Sequence, residues 1–154
     1  MNNLEFLQQV LGDEGYYCIV GLDLQKDLAP PKQKFFKNLE DAVAVAENLK
    51  NEGYDAYYAL ATFEDGKSRK TANVKQLKSL FLDLDCGPEK DYKTQEEALE
   101  GLEKFCAATN MPSPTLDNSG GGIHAYWPLT EAVTRQEWLP VAERLKALCD
   151  EHDL

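Results

Sequence analysis

The chain has 154 residues, 43% hydrophobic and 28% charged, a balance that suits a globular domain and excludes a disordered tail, a collagen-like chain or a disulfide miniprotein. Acidic residues outnumber basic ones 27 to 16, for a formal charge of −11, which argues against a general nucleic-acid binder with its usual basic excess. The length fits one domain with a substantial core.

The first residues, MNNLEFLQQVLGDEG, carry acids where a secretory leader needs bases, and Gln8 and Gln9 interrupt the apolar run, so no leader is expected. No stretch approaches the ~18 apolar residues of a membrane span, and no membrane partner is expected. Tyr16–Asp23 (YYCIVGLD) is aromatic and β-branched and predicts a strand. Gln25–Lys37, with Pro30-Pro31 and four lysines, predicts a loop. Asn38 then caps a helix, with Asp41 three residues on and Ala42, Val43, Val45, Ala46 and Leu49 on one face; Gly53 ends it. Tyr54–Phe63 (YDAYYALATF) predicts one strand, closed by a turn at Asp65-Gly66.

Lys78–Cys86 (KSLFLDLDC) predicts a further strand, stopped by Gly87-Pro88. Thr94 and Glu97 form a T-x-x-E capping box before a helix with an apolar stripe of Ala98, Leu99, Leu102, Phe105 and Cys106. Pro112–Leu129 predicts two strands around a glycine turn. Thr134 and Glu137 form a second box, opening a helix whose expected core face is Trp138, Val141, Leu145 and Leu148. Strands alternating with helices predict an α/β (α+β) fold, helices packed on a single sheet. Cys18, Cys86, Cys106 and Cys149 stand alone in apolar runs with no CxxC pair, and read as reduced core residues.

Charge is uneven along the chain. Residues 1–77 hold 12 acids and 9 bases, residues 78–154 hold 15 and 7. Yet Lys67, Arg69, Lys70, Lys75 and Lys78 fall between Gly66 and Leu82 with no acid among them. That basic patch is either a solvated loop and strand edge or a contact for a polyanion.

Two segments carry chemistry. In Leu80–Asp85, period-two alternation puts Leu80, Leu82 and Leu84 on one strand face and Phe81, Asp83 and Asp85 on the other. Two carboxylates roughly 6.5–7 Å apart at their Cα atoms repel unless a cation lies between them, and hard divalent ions favour carboxylate oxygens. The D-x-D is therefore a metal-site candidate, or an ordinary pair of solvent-facing acids. In Ser119-Gly120-Gly121-Gly122-Ile123-His124, a glycine run either cradles phosphate with its backbone N–H groups or simply makes a hairpin turn. His124 and Tyr126 alternate with Ile123, Ala125 and Trp127 and share the other face.

FLDLDCG followed about thirty residues later by SGGGIHAYWPL resembles the first two catalytic motifs of the archaeo-eukaryotic primase superfamily, in particular phage- and plasmid-borne primase-polymerases; the match spans Tyr54 to Leu148. The resemblance implies a catalytic module with a mixed sheet and flanking helices, built around an RNA-recognition-motif-like sheet. It implies one domain over residues 1–154, the N-terminal part of a larger protein. The implied activity is template-dependent nucleotidyl transfer, a DNA primase or polymerase activity in DNA replication. Asp83 and Asp85 would be ligands of Mg²⁺ or Mn²⁺, and His124 with Ser119 would hold the incoming nucleotide's phosphates across the loop shaped by Gly120, Gly121 and Gly122. Arg69 and Lys70 match no motif; the basic patch alone assigns them to nucleotide phosphate or template. The family's third acidic ligand has no clear counterpart: Asp150 or Asp153 stands in for it, it lies beyond the chain, or Asp117 serves as a weaker local substitute. Implied partners are nucleoside triphosphates, a DNA template and a replicative helicase domain in the same or another chain, in the cytoplasm of a bacterial host or encoded by a phage. The alternatives are a catalytically incomplete nucleotide- or partner-binding module and a metal-dependent nuclease.

Overall fold

A helix opens the chain that no reading of the sequence proposed. Helix α1 (Asn3–Val10) begins at Asn2, whose side chain accepts from the Glu5 N–H at 2.8 Å while the Glu5 carboxylate accepts from the Asn2 N–H at 3.3 Å. The N-x-x-E capping box was legible as a start signal, but only Leu7 and Val10 are buried, so the apolar period is too short to stand out. The computed structural model describes residues 1–23 and 31–154. It divides into two units, residues 1–78 with 130–135 and residues 79–129 with 136–154.

In the first unit, β1 (Tyr17–Leu22) is the middle strand of an antiparallel sheet, flanked by β2 (Lys32–Phe36) and β3 (Asp55–Tyr58). Strand β2 corrects the expected loop. Its Lys32, Gln33 and Lys34 are exposed and look loop-like in sequence, but they are the polar edge of a sheet, where lysine discourages further pairing. Residues 25–30 of that expected loop lie outside the described residues. Helix α2 (Leu39–Asn51) starts where expected: the Asn38 side chain accepts from the Asp41 N–H at 2.9 Å, and Gly53 follows its end at φ +90°. It packs Leu49 over Gly21 of β1, where a Cβ would sit 3.2 Å from the leucine methyls.

The expected single strand over Tyr54–Phe63 is two strands in different sheets. Strand β3 pairs with β1, the Ala59 N–H bonds to the Cys18 carbonyl, and the chain then enters β4 (Ala61–Phe63), which pairs with β5 (Val74–Asp85). Nothing in YDAYYALATF punctuates the run, because the break is set by pairing partners distant in sequence. The second sheet has the order β4-β5-β7-β6, with β6 at Thr115–Asn118 and β7 at Gly122–Val133; β5 and β7 each start in one unit and finish in the other. The fold is mixed α and β, with antiparallel strands in two sheets where one was expected.

In the second unit, α3 (Gln95–Thr109) and α4 (Arg135–Glu151) pack on one face of the β5–β7 strands. Leu80 and Leu84 of β5 and Ile123, Ala125 and Trp127 of β7 meet Ala98, Leu102 and Phe105 of α3 and Leu145 and Cys149 of α4. Two tryptophans tie the layers: Trp127 Nε1–H donates to the Pro112 carbonyl at 2.7 Å and Trp138 Nε1–H to the Ser79 carbonyl at 2.8 Å. At the start of α3 the Thr94 hydroxyl accepts from Glu97 N–H as expected, but the Glu97 carboxylate reaches back to the Lys93 N–H, one residue beyond the expected box. On α4, Val141 is 49% exposed instead of in the core; the buried stripe runs through Trp138, Ala142, Leu145 and Cys149, a 4-3-4 spacing that turns Val141 outward. The cysteines are free, Cys18, Cys106 and Cys149 being buried and Cys86 half-buried. Burial pushes the Cys18 thiol up to about 11 and raises Cys106 and Cys149 as well, so these thiols are unreactive. Among the described residues no helix is long and apolar enough to cross a membrane.

The helix-face assignment is testable by chemical denaturation: Leu145→Ala should cost about 2–5 kcal/mol and Val141→Ala within about 0.5 kcal/mol of nothing. Equal costs would mean that α4 is rotated from the orientation described.

Candidate functional site

Alternation along β5 separates two chemistries. Leu80 and Leu84 are buried and Leu82 is half-buried against the same core, while Asp83 and Asp85 are exposed on the opposite face with Phe81. Neighbouring β7 does the same: Ile123, Ala125 and Trp127 face the helices, and His124 and Tyr126 face the aspartates' side. His124 Nε2 lies 3.5 Å from Asp83 Oδ1. The imidazole is 21% exposed and is bounded by ring edges, with Phe81 at 5.2 Å and Tyr126 at 6.3 Å between centroids. Phe81 and Tyr126 also meet at 5.0 Å, so the ring that faces Asp83 has little freedom to turn. Strand β6 extends this face, for Asp117 is the register partner of His124.

The glycine loop is fixed against the end of β5, and its three glycines serve three purposes. Gly120 takes φ +84°, which side chains avoid, and its N–H bonds to the Asn118 side chain at 2.8 Å. Gly121 has open space where a Cβ would be and its N–H has no partner among the described residues, while its carbonyl accepts from the Cys86 N–H at 2.9 Å, beside Asp85. Gly122 runs so close to β5 that a Cβ would collide with the Leu84 carbonyl oxygen. Ser119 is exposed, its N–H closing the turn on the Gly122 carbonyl at 3.2 Å. Two side chains that no sequence signal marked brace the loop, Gln95 from α3 and Asn118 from the end of β6: they exchange amide hydrogen bonds at 3.0 and 3.3 Å, and Gln95 also donates to the Gly122 carbonyl. They are 23 residues apart, and no local pattern announces such a pair.

Of the residues singled out from sequence, Asp83, Asp85, His124, Ser119 and Gly120–Gly122 therefore gather in the second unit, where β5 ends. Arg69 and Lys70 belong to the first unit, exposed in the β4–β5 loop. Asp150 and Asp153 do not complete the carboxylate set. They sit at the end of α4 in the helix layer, Asp153 lining a cavity of about 320 Å³ with Tyr92, Lys104 and Phe105, on the far side of the strands from Asp83. A seventeen-residue helix packed through its apolar stripe carries its C-terminus away from the polar face.

The donor set suits a hard divalent cation only in part. Asp83 and Asp85 offer carboxylate oxygens on one face, and each now lies near a positively charged or protonatable nitrogen, His124 for Asp83 and Lys90 Nζ at 3.6 Å for Asp85. No group of three or more His, Cys, Asp or Glu among the described residues is placed to hold a metal. A cation here would take two protein carboxylates and fill its remaining positions with water or substrate oxygens, as Mg²⁺ commonly does.

The sequence matches no protein-family model and no curated protein. The structure is similar to that of the AEP domain of the primase-polymerase of cyanophage S-2L, with a TM-score of 0.66 over 96% of this chain and 69% of that one at 17% sequence identity. The chain thus has a primase-polymerase-like fold.

The loop geometry predicts an order of damage in thermal melts. Gly122→Ala should be worst, about 1–3 kcal/mol or more from overpacking against backbone, Gly120→Ala should cost about 1–2 kcal/mol through its backbone conformation, and Gly121→Ala should leave stability unchanged. A Gly122→Ala protein as stable as the parent would refute the close approach.

Proposed function

We propose that the face carrying Asp83, Asp85 and His124 is the catalytic face of a template-dependent nucleotidyltransferase that adds nucleotides to a DNA strand. The observation that supports it most is the meeting of His124 with Asp83 beside the fixed glycine loop, on a chain with a primase-polymerase-like fold. In this reading Asp83 and Asp85 hold Mg²⁺ or Mn²⁺, which when bound neutralises phosphate charge and eases deprotonation of a 3′-hydroxyl. The chain's own groups bind and orient the triphosphate. The Gly121 N–H and the Ser119 hydroxyl are donors on the exposed side of the loop, where phosphate oxygens can approach without displacing a side chain. His124 Nε2 faces Asp83, and the same nitrogen becomes a donor to phosphate once that carboxylate has another partner. Its role is electrostatic, stabilising charge on the phosphates, and the aromatic edges around it keep it aimed. Lys90, at the rim beside Asp85, is displaced from that carboxylate when the site is filled.

A second reading is favoured by the two-carboxylate donor set: a module that binds nucleotide without turning it over. Both readings share the nucleotide site, and primer extension on a template separates them, since only the first yields product. A nuclease using the same carboxylates would instead consume DNA with no nucleotide present.

Two measurements test the shared site. Mn²⁺ should raise the melting temperature, by the equivalent of about 2.7 kcal/mol at a hundred times its dissociation constant, and Asp83→Asn with Asp85→Asn should remove the shift; a shift that survives the double substitution eliminates the metal assignment. Calorimetry with a deoxynucleoside triphosphate and Mn²⁺ should show His124→Ala binding about ten- to a hundred-fold more weakly, the equivalent of one charge-assisted hydrogen bond of about 1.5–3 kcal/mol. Gly121→Val should weaken binding without unfolding the protein. Equal affinities in His124→Ala and the parent would make His124 a structural residue.

A further inference from the structure

In the first unit, we propose that the β4–β5 loop is a docking surface for the backbone of single-stranded nucleic acid. The patch of five bases seen in sequence separates into two groups in the fold. Lys75 pairs with Glu64 at 4.0 Å and Lys78 Nζ donates to the Gln8 carbonyl at 3.4 Å, so both serve the protein itself. Lys67, Arg69 and Lys70 are exposed and, among the described residues, engaged in no ion pair.

These three cations stand on a loop held by its own polar groups. The Asn73 side-chain amide donates to the Asp65 carbonyl at 3.0 Å and the Ser68 carbonyl at 2.7 Å. The Lys67 N–H bonds to the Asp65 carboxylate and the Lys70 N–H to the Ser68 hydroxyl, which fixes the backbone between them. Preorganisation of this kind lowers the ordering cost of binding.

The loop also lies against rings. Gly66 packs on the half-buried Phe35 and Tyr16: a Cβ there would lie 3.3 Å from Phe35 Cβ and 3.7 Å from Tyr16 Cδ1. Lys37 Nζ sits over the Tyr16 ring at 5.6 Å and adds a fourth cation. Cations beside aromatic faces make the surface that tracks a strand with unpaired bases; duplex offers no free base to stack. The chain's net −11 does not forbid it, because charges more than about 10 Å away are screened at 0.1 M salt while contacting phosphates are not.

The inference rests on the template-directed reading for its polyanion but on none of the residues of the nucleotide site. Its test is fluorescence anisotropy of a labelled oligothymidylate of about 20 nucleotides, across about 50–200 mM salt, with the parent chain and the triple variant Lys67→Gln, Arg69→Gln, Lys70→Gln. The parent should bind, and the variant should bind at least about ten-fold more weakly at the lowest salt, with a salt slope smaller by about 2, near 0.7 per lost phosphate contact. Triphosphate binding and melting temperature should not change. Absence of oligonucleotide binding in the parent, or an unchanged slope in the variant, overturns the proposal and leaves the nucleotide site standing. Loss of triphosphate binding in the triple variant overturns it too, by giving the loop to the nucleotide, and tighter binding of duplex than of single strand overturns the choice of partner. His124→Ala should keep its oligonucleotide affinity even where it loses the triphosphate.

Discussion

The close approach of Gly122 to the Leu84 carbonyl is the constraint on which the second unit depends. A hydrogen in place of a methyl group there lets β7 begin directly against the end of β5. From that start, period-two alternation decides everything downstream: two residues on, His124 arrives beside Asp83, while Ile123 and Ala125 turn into the core. The Cys86–Gly121 hydrogen bond fastens the loop at the same point, and the Gln95–Asn118 amide pair holds it from α3. A one-residue slip in this pairing would put His124 among leucines and Ile123 in solvent, so the hydrophobic cost of the slip protects the polar arrangement.

The two faces of β5 and β7 thus divide stability from chemistry. Burial of Leu80, Leu84, Ile123, Ala125 and Trp127 under α3 and α4 supplies the driving force, and among the described residues no charged side chain is buried. The other face can then afford two exposed carboxylates in succession. Their mutual repulsion is met by His124 and Lys90, one cation or potential cation for each. Such pairs between exposed groups contribute little stability, and a partner that is weakly held is easily exchanged. Phe81 and Tyr126 limit that exchange to the carboxylate and imidazole ends, because the rings fix where His124 can point.

Charge is distributed on the same principle of local use. The acids of α3 and α4 lie on solvent-facing positions of their helices, where Glu97 accepts from the Lys93 N–H and Glu151 pairs with Arg144. The five bases of the patch divide into those that close the structure, Lys75 and Lys78, and those that a hydrogen-bonded loop presents outward. Net charge therefore says little about what any one surface of this protein can bind.

Several features were determined by sequence alone. Caps at Asn38 and Thr94, the leucine and aspartate faces of KSLFLDLDC, and the hairpin around the triple glycine are local properties, fixed by residues within a turn or a pleat of one another. They sufficed to set Asp83 opposite the leucines of its strand and His124 opposite Ile123 and Ala125 of its own, and to suggest the family likeness, while the adjacency of β5 and β7 came from the sheet order. Tertiary structure decided what depends on distant partners. It broke YDAYYALATF between two sheets, because β1 and β5 compete for one unpunctuated run, and it made KQKFF an edge strand by pairing it with β1. It turned Val141 out of the core and carried Asp150 and Asp153 to the helix side, since the rotation of α4 follows from which residues fit against the sheet and not from its apolar count. It gave the three glycines their separate purposes, because a collision with Leu84 involves a strand thirty-eight positions away, and no spacing in the sequence records which backbone atoms will lie within a methyl group's reach.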